Sequence, residues 1–337
     1  MKFETCLETN LLSNKKKKTM RKKSLLIYCT VLIGIGFLTI LNSCKSEVKE
    51  IERPNVLFVA FDDLNDWEGC LFGHPQTITP NINRLAEKGV LFTNAHCAGT
   101  MCCPSRASMI TGLRPTTTGV YKNTDTPNSL YKEKQTLNKH FKENGYFVAG
   151  AGKILHGFHY EENDWHEFQA KPKGKNIVGN RSNPNMENAT IVSGNIMWGS
   201  FSSPDSLTFD GSNADWVSER LNRDHDKPFF LACGIFRPHI PWFNPEKYFD
   251  RFPLEEIELP IVNEDDLDDV PLSGKNIAYS ITNFTMDDDL NNYEENEEHE
   301  MMKRDSLWEY AVRAYLASVS YADAQFGKLL DALENSK

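Results

Sequence analysis

The chain has 337 residues, 40% of them apolar and 25% charged, a globular balance with room for one large α/β domain or two smaller ones. Its formal net charge is −10, and because eight of the 37 basic residues precede Cys44 against two of the 47 acidic ones, the remainder is more acidic still. That argues against a nucleic-acid partner and obliges any polyanionic substrate to find a local basic pocket in an acidic body.

The N-terminus reads as a targeting segment. From Met20 a basic start leads into an apolar run, Leu25 to Leu41, which closes in Leu-Asn-Ser-Cys at 41–44. This is the layout of an export signal. A cysteine directly after a small residue resembles a bacterial lipoprotein leader, so residues 1–44 are expected to be leader, Cys44 the lipidated residue and residues 45–53 a charged tether. The mature protein would then be exported and held by its lipid to a bacterial membrane, in the periplasm or at the cell surface. An uncleaved membrane anchor is the alternative, because an apolar run of about 17 residues is at the short edge of a spanning helix. The first nineteen residues, with Lys15 to Lys18, read as an upstream extension of a natural start at Met20. Beyond the leader, Cys70, Cys97, Cys102, Cys103 and Cys233 are too scattered for a disulfide framework or a zinc ribbon.

The apolar run Asn55 to Phe61 predicts a buried parallel strand that ends abruptly in Asp62 and Asp63. Thr79-Pro80 opens a helix closed by Gly89. "VLFTNAH", Val90 to His96, predicts a short strand, and Pro104 to Thr111 a short helix with Cys102 just before its N-terminus. "TLNKHFKENGY" predicts a helix ended by Gly145, and "FVAGAGK" a strand running into Lys153. Residues 158–210, rich in Asn, Ser and Gly, read as irregular surface loops. "DWVSERLN" is helical, and "PFFLACGIF" is a second buried strand, ending at "RPHIPW". Residues 264–300 are mostly polar and acidic. From Ser306 to Leu333 the apolar period is helical, through Trp308, Val312, Tyr315, Leu316, Val319, Ala322, Phe326, Leu329 and Leu330. Strands alternating with helices predict an α/β fold. Asp62, Asp63, Lys153 and His239 fall at or after strand ends, where open α/β sheets bind ligands.

Cys102-Cys103-Pro104-Ser105-Arg106 fits the pattern Cys-x-Pro-Ser-Arg, and adjacent cysteines on an extended backbone point apart and do not pair readily. With "PNVLFVAFDD" before it, "SRASMITGLRP" through it, "GKILHG" and "RPHIPW" after it, and the helix "RAYLASVSYADAQFGKLLDAL", the chain resembles the type I sulfatases. It is most similar to the iduronate-2-sulfatase branch. The resemblance spans nearly everything after residue 54, with Lys153 and His156 three apart as in that branch. It implies an alkaline-phosphatase-like α/β fold, a mixed sheet sandwiched by helices. It implies that a formylglycine-generating enzyme oxidises Cys102 to formylglycine. It also implies that Asp62, Asp63 and the modified Cys102 hold Ca²⁺, with Mg²⁺ as the second choice. The substrate it implies is a sulfated glycan, ulvan-like or glycosaminoglycan-like.

The chemistry explains the residue types. A hydrated aldehyde offers two geminal hydroxyls: one attacks sulfur, and deprotonation of the other expels sulfate and restores the aldehyde. A sulfate ester spreads charge over several oxygens, which suits cations and preorganised donors. Hence Arg106 is assigned to the hydrate or to the aspartates, Lys153 to a sulfate oxygen, His156 to the second hydroxyl as base, and His239 to the leaving-group oxygen as acid. Read alone, Asp66, Trp67, His74, His96, His159 and Asp164 are loop or packing residues, Cys103 is packing, the acidic run 286–300 is a solvated loop, and Arg114 and Trp242 are candidates for substrate contact. The resemblance further implies a later strand bearing an Asp-His-Gly-type motif, and no "DHG" or "DNG" occurs in the sequence. The fold is therefore expected to be incomplete at the C-terminus, with 54–337 the N-terminal, catalytic part of a longer sulfatase. The alternatives are an inactive remnant, a glycan-binding surface lipoprotein, or a phosphoester hydrolase of the same superfamily.

Overall fold

The computed structural model describes residue 20 and residues 53–337, apart from 159–161, 170–188, 193–195, 264, 272–273, 275–301 and 337. The leader apart from Met20, Cys44 with it, nearly all of the tether, His159 and the acidic run 286–300 lie outside the described residues. Pro54–Lys337 forms one unit, separate from Met1–Arg53. Among the described residues, no helix is long and apolar enough to cross a membrane.

The main sheet has the order β1-β6-β2-β3: β1 is Val56–Asp62, β2 Phe147–Gly152, β3 Glu167–Gln169 and β6 Phe229–Pro238, and every pairing is parallel. β6 is central and apolar on both faces, as a parallel strand covered by helices must be. Its period of two divides the core. Phe229, Leu231, Cys233 and Ile235 join one cluster, while Phe230 and Ala232 join the other. Among the described residues, five helices of seven residues or more surround the sheet: α1 (Pro80–Lys88), α2 (Cys102–Thr111), α3 (Leu137–Glu143), α4 (Phe209–Leu221) and α5 (Trp308–Glu334). α4 and α5 cover the first face with Ala214, Val217, Leu221, Phe326 and Leu329. α2 and α3 cover the second with Cys103, Ala107, Ile110, Leu137 and Phe141. A small second sheet has the order β4-β5-β7: Thr190–Ile191, Met197–Phe201 and Trp242–Pro245.

α1 has Pro80 at its first turn but no cap from Thr79. Its free N–H groups at Asn81 and Ile82 instead donate to the Asp323 carboxylate of α5, at 3.1 and 2.8 Å. One carboxylate thereby caps a helix and ties it to another far along the chain.

Two expectations fail. Val90 to His96 forms no strand, and Val90 and Phe92 are 80% and 75% exposed; strand propensity is realised only against a neighbouring strand. Residues 158–210 are not uniformly surface loop. They supply β3, β4 and β5 and bury Trp165 and Trp198, and α4 begins at Phe209, before the predicted start. Thr208 caps α4 by accepting the Gly211 N–H at 3.1 Å.

Candidate active site

β1 delivers two carboxylates. Its register with β6 runs evenly to Phe61 opposite Ile235, then jumps so that Asp62 faces Pro238. The N–H groups of Phe236 and Arg237 lie at this bulge. Both donate to the buried carboxylate of Asp210 in α4, at 2.7 Å to Oδ1 and 3.0 Å to Oδ2. Burial pushes the Asp210 carboxyl up, against the pull of Arg237 and these two donors. The strand end that carries His239 is thus pinned from a helix.

β2 delivers Lys153. A Cβ on Gly152, at φ +77°, would lie 2.2 Å from the Gly234 carbonyl oxygen, and one on Gly234 would lie 2.1 Å from the carbonyl carbon of Lys153. Only glycine at both positions permits this approach. It fixes the Lys153 N–H on the Gly234 carbonyl at 3.0 Å and turns the side chain toward β1.

α2 delivers the cysteine. Cys102 is its first residue, not the one before it. One turn on, Arg106 donates to Asp62 Oδ1 at 2.9 Å and to the Ile154 carbonyl at 3.1 Å, and also to the Lys153 carbonyl. α2 is therefore clamped to the ends of both β1 and β2.

These elements converge. One donor atom from each of Asp62, Asp63, Cys102 and His239 lies within 4.8 Å of the others. The Lys153 ammonium bonds Asp62 Oδ2, and His239 Nε2 lies 3.6 Å from Asp63 Oδ2 and 3.9 Å from Asp62 Oδ2. Phe236 walls the two basic side chains, with the Lys153 ammonium 4.7 Å from its ring centre and the His239 ring also at 4.7 Å. The turn carrying His156 packs against α2.

The electrostatics follow from burial and charge. Burial opposes ionisation of Asp62, but Arg106 and Lys153 outweigh it and hold its carboxyl below the usual range. At Asp63 burial wins and the carboxyl is pushed up, with Asp62 adding to the effect and His239 opposing it. Burial and the Lys153 charge pull His239 down. Burial, then Asp62, pushes the Cys102 thiol up to about 11. An unmodified thiol here is a protonated, poor nucleophile.

The donor set fits a hard divalent cation on one condition. Carboxylate oxygens suit Ca²⁺ or Mg²⁺, whereas a thiol does not. If position 102 carries oxygen in place of sulfur, it joins Asp62 and Asp63 as an oxygen ligand and leaves the imidazole for proton transfer.

The remaining residues weighed from the sequence fall elsewhere. His74 is a packing residue, on the Glu258 carbonyl at 3.1 Å and against Trp67. His96 and Arg114 are exposed. Asp66 is not in the cluster, and Cys103 is buried beneath α2. Trp242 is half-buried against Trp198 and Tyr315. All five described cysteines are free. Asp210 and Phe236 escape a reading of the sequence, since neither a bulge nor a ring between two basic side chains has a local signature.

Fold and site together define an α/β protein with a cation-ready acidic cluster at the carboxyl ends of parallel strands, faced by a cysteine at a helix start. The family model described as sulfatase matches residues 54–337, and the chain belongs to the sulfatase family. It is 36% identical over 319 residues to a sulfatase from Formosa agariphila, covering 91% of this chain and 60% of that one. It is 28% identical over 324 residues to iduronate 2-sulfatase from Homo sapiens, covering 92% of this chain and 56% of that one. The chain thus spans little more than half the length of these relatives. The fold matches that of a phosphonate monoester hydrolase from Agrobacterium radiobacter with a TM-score of 0.59 and 20% identity, over 84% of this chain and 60% of that one.

Proposed function

We propose that this protein hydrolyses sulfate esters of a sulfated polysaccharide or oligosaccharide, ulvan-like or glycosaminoglycan-like, using formylglycine made from Cys102. The observation that carries the reading is the convergence of Asp62, Asp63, Cys102 and His239, with Arg106 and Lys153 both on Asp62. Asp62, Asp63 and the oxidised Cys102 would hold Ca²⁺, or less well Mg²⁺, which when bound adds positive charge where sulfate charge must be neutralised.

The residues then divide the work. One hydroxyl of the aldehyde hydrate gives its proton to the Asp63 carboxylate and attacks sulfur, the bond from sulfur to the sugar oxygen breaks, and that oxygen leaves with a proton from His239. The Lys153 ammonium binds a sulfate oxygen. Arg106 keeps Asp62 ionised and aimed. His156, on the turn packed against α2, removes the proton of the second hydroxyl; sulfate departs and the aldehyde returns. Water restores the hydrate. Cys44 would carry the lipid that holds the exported protein to a membrane.

The test is to express the chain beside a formylglycine-generating enzyme. Mass spectrometry of the Cys102 peptide should show an aldehyde in place of the thiol, and the protein should release sulfate from sulfated oligosaccharides. An intact thiol in protein from native cells, or undiminished turnover in Cys102→Ala, sinks the proposal. Faster turnover of a phosphate than of the sulfate of the same alcohol would favour a phosphoester hydrolase. Loss of membrane association in Cys44→Ala tests the anchor.

A further inference from the structure

Asp63 is held in an unfavourable backbone conformation. Its φ is +59°, in the left-handed region, although it is not glycine. For a residue with a Cβ this costs about 1–2 kcal/mol, and it persists only where surrounding contacts impose it. The contacts that impose it come from α5. The Asn65 N–H donates to the Tyr315 hydroxyl oxygen at 3.0 Å. That same oxygen lies 3.0 Å from the Asp63 carbonyl oxygen and 3.0 Å from Asn65 Oδ1, each an acceptor for its single proton. Asn65 Oδ1 in turn accepts the Trp67 N–H at 3.0 Å. One phenol thus accepts from one side of the turn and donates to the other. Its ring is fixed by edge-on packing against Trp67 and Trp242, at 5.4 and 5.8 Å between ring centres. In sequence Tyr315 is one more position of the helical apolar stripe.

We infer that Tyr315 is a positioning residue for the cation site. Its hydroxyl holds the Asp63–Asn65 turn in the conformation that keeps the Asp63 carboxylate in the cluster. Divalent-cation affinity therefore depends on a hydroxyl whose hydrogen bonds go to the turn and not to the cluster's own donor atoms. This rests on the reading of the cluster as a cation site.

The experiment is Ca²⁺ titration calorimetry on the whole chain, matured beside a formylglycine-generating enzyme, and on its Tyr315→Phe variant matured in the same way, which keeps the ring and its packing. Removing a group that orients a ligand lowers metal affinity about 10- to 100-fold, and a rise in Kd of that size is expected. Asp63→Asn should weaken binding as well, and Tyr315→Phe placed on top of it should add less than about a twofold further loss, because the two act through one carboxylate. Hydrogen exchange should show the Asn65 amide losing protection in Tyr315→Phe even without Ca²⁺. An unchanged Kd in Tyr315→Phe, or the same fold-loss with and without the Asp63 carboxylate, overturns the inference and leaves the sulfatase reading standing. If the matured wild-type chain binds no divalent cation, the cation reading falls, and this inference with it.

Discussion

The sharpest stability test concerns Asp62 in metal-free protein. Its carboxylate bonds Arg106 at 2.9 Å and Lys153 as well, and the side chains of Asp62, Arg106 and Lys153 are 5%, 5% and 6% exposed. In Asp62→Asn two buried cations lose their shared anion. Breaking a buried ion pair by removing one partner costs about 3–5 kcal/mol. The upper figure is the ceiling here, because the Asn amide oxygen still offers one of the two cations an acceptor. Against a total stability of about 5–15 kcal/mol, the variant should fold but unfold at clearly lower urea. The pH dependence has a definite sign. A carboxyl held low in the fold stabilises above its unfolded value of 3.8 and loses that contribution as pH falls through its lower folded value. Wild type and variant should therefore differ fully at neutral pH and converge on acidification below 3.8. Urea unfolding in EDTA, followed by circular dichroism from pH 7 downward, measures this. A difference under about 1 kcal/mol at pH 7 would refute the claim that Asp62 is a countercharge of the fold.

Further outcomes follow from the same geometry. In unmatured, metal-free protein, iodoacetamide should alkylate exposed Cys97 well before Cys102, whose labelling should accelerate toward its pKa of about 11; equal labelling at pH 7.5, read by peptide mass spectrometry, contradicts this. His239→Gln should lower kcat for a sugar sulfate by about 10²- to 10⁴-fold but much less for 4-nitrophenyl sulfate, whose leaving group needs no proton. Equal losses on both substrates would place His239 at the cation instead. Asp210→Asn can accept only one of the two N–H groups at the β6 bulge and leaves Arg237 without its buried anion, so unfolding free energy should fall by about 3–5 kcal/mol. A loss below about 1 kcal/mol would show that the bulge does not depend on this carboxylate.

What the sequence discloses, and what it withholds, divides by the range of the interaction. β1, β2 and β6 are legible because a parallel strand covered on both faces needs an unbroken apolar run. α5 is legible because a long helix repeats its apolar stripe seven times over. The site is legible where chemistry-bearing residues interrupt those runs at strand ends: Asp62 and Asp63, Lys153, His239. β4 and β5 are not, because strands of two and five residues set among Asn, Ser and Gly have no run to read. Val90 to His96 has a strand's composition without a strand's neighbour, and β-propensity measures fit to a neighbour. The residues that aim the site are hidden for a related reason. Asp210 and Tyr315 act through backbone groups that lie far from them in sequence, 26 residues away at Phe236 and 252 residues away at Asp63. Each looks locally like an ordinary helix residue. The clustered polar side chains sit at ends of elements, where local pattern marks them, whereas those that hold them sit inside other elements, where only the fold brings the pair together. Mutations that weaken this site while sparing its ligands should therefore cluster on α4 and α5, away from the Cys-x-Pro-Ser-Arg segment.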